Sequence, residues 1–133
     1  MSSDYSAFQR DDETAALLRT ATAHAEAGDW DSALECLRQV KTRLMVSPVH
    51  YPAETWCKYP LYLSRAGRFE ESMQEFDWLL GDLPRQARKN SFMDDPNISF
   101  GKTPKKTIYN ATIRNGKRVI EEKRQVAIRR REK

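Results

Sequence analysis

Along residues 12–84 the apolar positions return at steps of three and four, the period of one face of an α-helix, and the pattern breaks at regular places. From Asp12 to Ala27, Leu17, Thr20, Ala21 and His24 share one side, and Asp11 or Asp12 can accept from the open N–H groups of a first turn. Gly28 ends that stretch. Asp29 can cap a second helix, whose face carries Trp30, Ala33, Leu34, Leu37, Val40 and Leu44. Met45 to Pro52 holds two prolines and no sustained period, so it reads as a connection. A second pair follows: Trp56, Tyr59 and Leu63 on one helix, a turn at Ala66-Gly67-Arg68, then Phe69, Met73, Phe76, Leu79 and Leu80 on the next. The pattern predicts an all-α domain of two helical hairpins over residues 1–84.

The hairpins repeat one another. Gly28 and Gly67 lie 39 positions apart, and Ala27-Gly28-Asp29-Trp30-Asp31-Ser32-Ala33-Leu34 corresponds to Ala66-Gly67-Arg68-Phe69-Glu70-Glu71-Ser72-Met73. Residues 12–84 therefore resemble the tetratricopeptide repeat (TPR) family, whose antiparallel helix pair recurs about every 34 residues. Trp56 matches the family's first-helix tryptophan, Gly67 its turn, Phe69 and Phe76 its second-helix aromatics, and Pro84 its closing proline. In the first hairpin Leu17, Gly28, Trp30, Ala33 and Leu37 take the corresponding places. Two departures stand out. Met45 replaces the first closing proline, and Pro60 falls inside a helix, where it removes a backbone bond and costs about 3 kcal/mol unless the helix bends or begins there.

The resemblance implies a short α-solenoid with a concave groove that binds peptides or partner helices. Here the lining would be Leu18, Thr22 and Ala25 from the first repeat with Cys57, Leu61, Ser64 and Arg65 from the second. Members that grip a terminal carboxylate use Lys and Asn where this chain has Leu18 and Thr22, so an amphipathic helix or apolar peptide suits this groove better. Stacked repeats need about three units to bury their faces, and two are visible. The outer face of the second, near Phe76, Leu79 and Leu80, needs a cover: the C-terminal segment or a second copy in a homodimer.

Beyond Pro84 the character changes. Residues 85–107 carry Gly, Pro, Asn and Lys without period and read as a linker or extended arm. Residues 108–133 form a basic tail with two open readings. Asn115-Gly116 is a favoured tight turn for a β-hairpin; the strong helix formers after Glu121 favour two helical pieces broken at Gly116, with Val119, Ile120, Lys123, Val126 and Ala127 as a narrow stripe. The helical reading is preferred.

Charge sharpens this division. Residues 1–84 hold 8 Lys and Arg against 14 Asp and Glu, a net of −6, whereas residues 85–133 hold 15 against 5, a net of +10. Lys105, Lys106, Arg114, Lys117, Arg118, Lys123, Arg124, Arg129, Arg130 and Arg131 could seek an acidic protein surface, this protein's own body included. They could also track nucleic acid phosphates with Tyr109 stacking, or simply solvate a face.

Candidate chemistry is sparse. His24 reads as a packing residue and His50 as an exposed one in a proline-flanked connection. Cys36 and Cys57 lack the paired spacing of a zinc site or disulfide framework, which suits a reducing compartment. There is no phosphate loop, HExxH motif, membrane-length apolar run or basic-then-apolar leader. The expectation is a cytoplasmic, non-catalytic adaptor or inhibitor without cofactor or metal, binding a protein partner through groove or tail. The alternative is a nucleic-acid-associated protein using the tail as an electrostatic arm.

Overall fold

The computed structural model describes the backbone of residues 2–89 and 105–132, with side chains for residues 12–89 and 109–132. Among the described residues the chain is all-α: α1 (Ser2–Glu26), α2 (Trp30–Val46), α3 (Ala53–Arg65), α4 (Phe69–Arg88) and α5 (Lys105–Glu132), with no strand. None of these helices is long and apolar enough to cross a membrane. Contacts gather into two compact units, Met1–Ser47 and Pro48–Lys133.

The first unit is the α1–α2 hairpin. Gly28 adopts a left-handed φ of +79°, which lets its N–H reach the Ala25 carbonyl at 3.0 Å and the Asp29 N–H reach that of His24 at 2.8 Å. This paired closure satisfies carbonyls a helix end leaves open, and it needs glycine because a Cβ disfavours that φ. Asp29 then caps α2, its Oδ1 accepting from the Ser32 N–H at 3.1 Å. Ala21, Ala33, Leu34, Leu37, Val40 and Leu44 are buried, and Arg43 of α2 pairs with Glu13 of α1 at 2.6 Å. His24 departs from its expected packing role: its side chain is 40% exposed, with Nδ1 3.9 Å from Asp29.

The second unit is a three-helix body. The α3–α4 turn repeats the first: Gly67 has φ +83°, its N–H reaches Ser64 at 3.1 Å, and the Arg68 N–H reaches Leu63 at 2.9 Å. Here Arg68 occupies the cap position without a side-chain cap bond and forks onto Glu71 at 2.8 and 2.7 Å. Pro60 does not break α3. It is fully buried, and its carbonyl accepts the hydroxyl of Ser72, itself fully buried on α4, at 2.7 Å. The helix thus keeps a proline whose packing and cross-helix bond offset its missing N–H.

Two boundaries move. Pro84 does not close α4, which runs on to Arg88, so residues 85–88 are helical where a linker was expected. The cause is burial: Leu83, Gln86 and Ala87 are all covered, and Asp82 ties this turn together by accepting from Arg85 and Gln86. The rest of the expected arm falls mainly outside the described residues. At the tail, neither a β-hairpin nor a break at Gly116 forms, because α5 is continuous. Gly116 is buried, and a Cβ there would lie 2.6 Å from Leu83 Cδ2. It is a point of close helix approach.

α5 packs on both α3 and α4. Gly116 meets Leu83, Arg124 pairs with Asp77 at 2.9 Å, and the Arg131 guanidinium lies 4.1 Å from the Phe69 ring centroid. These three contacts descend α4 as they ascend α5, so the two helices are antiparallel. Val119, Ile120 and Ala127 are the buried residues of the narrow stripe.

Candidate functional site

The expected groove lining is divided between the units. In the first, Leu18 and Thr22 are half-buried on α1, with the Thr22 hydroxyl donating to the Leu18 carbonyl at 3.1 Å, while Ala25 is buried. In the second, α3 presents Leu61 and Ser64 half-buried and Arg65 exposed. Cys57 has no exposed surface, and Lys123 of α5 is the cation whose charge acts on its thiol. Neither Ala25 nor Cys57 can meet a ligand in this conformation, so the accessible part of the predicted set is Leu18, Thr22, Leu61, Ser64 and Arg65.

Sequence reasoning missed two neighbours on α3. Lys58 Nζ lies 5.4 Å, and the Arg65 guanidinium 5.5 Å, from the centroid of the Tyr62 ring. Positions 58, 62 and 65 follow the i, i+4, i+7 rule, which was the available signal. The nearly buried ring lies within cation–π reach of both cations, and half-buried Leu61 precedes it on the same helix. This surface is cationic with an apolar centre. It has the chemistry to take an apolar side chain flanked by carboxylates.

The basic tail is a folded surface over its described part. Arg124 is engaged with Asp77, Arg131 with Phe69, and Arg118 with Glu122 and Asn115, both at 2.9 Å. Arg114, Lys117, Arg129 and Arg130 are exposed on α5, and Lys123 is half-buried. The side chains of Lys105 and Lys106 lie outside those described. Glu121 and Glu122 stand in the middle of the outward face and interrupt its positive run.

The nucleophile and base candidates have definite environments. Burial pushes the Cys57 thiol up to about 12, outweighing Lys123, so it stays protonated at neutral pH and is neither thiolate nucleophile nor thiolate ligand. Cys36 and Cys57 are free cysteines. His50 is half-buried, contrary to its expected exposure, and burial and then Lys89 hold it below the usual imidazole range. Among the described residues no three His, Cys, Asp or Glu side chains gather as metal ligands.

The fold and surfaces define a class: an all-α chain of helical hairpins closed by glycine turns of one geometry. Compared with protein families, curated proteins and solved structures, the chain has no match in any of the three.

Proposed function

We propose that this chain is a cytoplasmic, non-catalytic protein–protein interaction module built from two TPR-like helical hairpins, with α5 as the helix that covers the second. The observation that carries this reading is the docking of α5 on α3 and α4. A tail committed to packing, with Arg124 and Arg131 spent on contacts to α4, supports a folded recognition surface over a free electrostatic arm. The matching Gly28 and Gly67 turns support the repeat reading, since the same two hydrogen bonds close both hairpins. The cover supplied by α5 also removes the need for a second copy at that face.

The recognition surface is the outward side of α3, with Leu61 as apolar anchor and Lys58 and Arg65 as flanking cations. Its partner is a protein segment of amphipathic, acidic character. Arg114, Lys117, Arg129 and Arg130 on α5 provide a second, weaker electrostatic surface that speeds encounter.

The test is affinity capture by the full-length chain at near-physiological salt, with and without nuclease. Two variants are compared: Leu61→Glu with Arg65→Glu on α3, and Arg114→Glu with Lys117→Glu on α5. Nuclease-resistant capture of one protein, lost roughly tenfold or more in the α3 variant as for an interface hot spot, supports the reading. Capture that vanishes with nuclease, or falls only in the α5 variant with steep salt dependence, makes the chain a nucleic-acid binder and overturns it.

A further inference from the structure

We infer that the outward side of α5 binds a second copy of this chain, α5 against α5 and antiparallel, in a weak, salt-sensitive dimer with two-fold symmetry. What carries this is a run of outward positions whose charges become complementary when the helix meets itself in one register. Ala111, Arg114, Arg118, Glu121, Gln125 and Ile128 recur at steps of three and four, so they form one stripe over about 27 Å of helix. At about 100° per residue, the stripe lies opposite Gly116, Val119, Ile120 and Ala127, which are buried where α5 packs on the hairpin. Arg114, Arg118, Glu121 and Gln125 are exposed, and Ala111 and Ile128 at the two ends are half-buried. An open groove of about 720 Å³ follows this side, and its lining belongs to α5 alone.

Laid antiparallel with Arg118 opposite the second copy's Glu121, the stripe maps onto itself. Arg114 then faces Gln125, Ala111 faces Ile128, and the two-fold repeats each pair. Lys117 and Glu122 flank the centre on its two edges and add matching charge, Lys117 beside the second copy's Glu121 and Glu122 beside its Arg118. Sliding by one heptad sets Arg114 on Arg118 in one direction and leaves Arg118 on Ile128 in the other. A parallel pair in register puts Arg118 on Arg118 and Glu121 on Glu121. Lys117 and Arg124 are the like charges that oppose the favoured register, and Arg124 is already drawn to Asp77 at 2.9 Å.

The central groups are available for this contact. The side chains of Arg114, Lys117, Glu121 and Gln125 have no partner among the described residues. Arg118 donates to Glu122 and to Asn115, both at 2.9 Å, which uses two of its five N–H groups, and it is 61% exposed. It can therefore keep both bonds and still meet a carboxylate from outside. The hairpin lies behind α5, on the side away from the second copy.

Sedimentation equilibrium of the full-length chain from about 20 μM to 1 mM tests the assignment. At about 25 mM salt we expect a monomer–dimer equilibrium with a dissociation constant between about 0.1 and 1 mM, weakened about tenfold at 0.5 M, since the central contacts join exposed charges. Glu121→Arg should weaken association about tenfold or more, because both central pairs turn repulsive. Adding Arg118→Glu restores opposite charges across the axis and the original net charge, and should recover the affinity to within about threefold. The next pair along gives an independent cycle: Gln125→Arg sets arginines face to face and should weaken association about threefold, and adding Arg114→Gln should restore it. A monomer at every concentration, association indifferent to salt, or failure of both paired exchanges to restore it overturns the assignment. So does loss of association in Leu61→Glu with Arg65→Glu, which would place the contact on α3.

Discussion

Gly116→Ala tests whether α5 sits on the second hairpin as described. In an exposed helix interior this change stabilises by about 1 kcal/mol, because alanine loses less backbone freedom than glycine. Here the new methyl would lie 2.6 Å from Leu83 Cδ2, with Leu83 Cγ and Cδ1 at 3.8 Å, and Leu83 is only 5% exposed. Its side chain must turn to admit the methyl, and overpacking of a buried contact costs about 1–3 kcal/mol. The net expectation is a change between about zero and 2 kcal/mol of destabilisation, opposite in direction to the exposed-helix value. A double-mutant cycle isolates the cause. Leu83→Ala alone should cost about 2–5 kcal/mol, and adding Gly116→Ala to it should recover about 1 kcal/mol, since the methyl then enters vacated space. The coupling between the two positions is thus about 1–3 kcal/mol. Urea denaturation followed by tryptophan fluorescence in a Trp30→Phe background reports on the second unit alone, through Trp56 and Trp78, whose ring centroids are 6.0 Å apart. A full gain of about 1 kcal/mol from Gly116→Ala in the otherwise unchanged chain, with no coupling to Leu83, would refute the docking of α5 at this point.

Three further outcomes follow from the same packing. A water-soluble maleimide should label Cys36, which is partly exposed, well before Cys57, which has no exposed surface and should react only at the rate the second unit opens. Because the Cys57 thiol titrates at about 12 in the folded chain against an ordinary 9.0, folding stability should fall as pH rises through that window. The sign is fixed by the unfolded state, which releases the proton first, and the slope is at most about 1.4 kcal/mol per pH unit. Cys57→Ala should flatten that part of the alkaline stability curve measured by urea denaturation; an unchanged slope contradicts the burial. Ser72→Ala removes the hydroxyl that meets the Pro60 carbonyl and should cost about 1 kcal/mol by the same assay, with Ser72→Thr no better because the added methyl has no room in a fully buried site.

What the sequence made legible was local. Helix faces such as Leu34, Leu37 and Leu44 follow from period, and the ends at Gly28 and Gly67 from the one residue that tolerates their φ. What it hid depended on contacts far along the chain. Pro84 resembles a terminator, yet Leu83, Gln86 and Ala87 are buried in the second unit and hold α4 helical to Arg88. Asn115-Gly116 reads locally as a turn, and only Leu83, more than thirty positions away in sequence, explains why the glycine is instead a place where two helices come close. Of the expected groove residues, Leu61 and Arg65 are accessible on α3, on a side that helical spacing alone defines. Cys57, expected in the groove, is instead fully buried in the second unit.

The charge segregation takes a different meaning once α5 is seated. Counted along the chain, a net of −6 before residue 85 and +10 after it suggests two electrostatic objects able to act apart. Folded, Arg124 faces Asp77 across the α4–α5 contact while Glu70 and Glu71 stand in the first turn of α4, so the acidic start of α4 and the basic end of α5 meet. Each exposed pair contributes well under 1 kcal/mol in salt, too little to hold a helix alone. Their effect is on direction: sliding α5 by one turn, or reversing it, moves Arg124 away from Asp77 and Arg131 away from the Phe69 ring. Val119, Ile120 and Ala127 supply the burial, Gly116 permits the approach, and the Arg124–Asp77 and Arg131–Phe69 contacts favour antiparallel register among the ways so narrow a stripe could lie. Raised salt should therefore loosen the register of α5 more than it lowers the stability of the second unit. Amide exchange along residues 109–132, compared at low and about 1 M salt against exchange in α4, measures that difference, and equal changes in both helices would leave the Arg124 and Arg131 contacts no part in positioning α5.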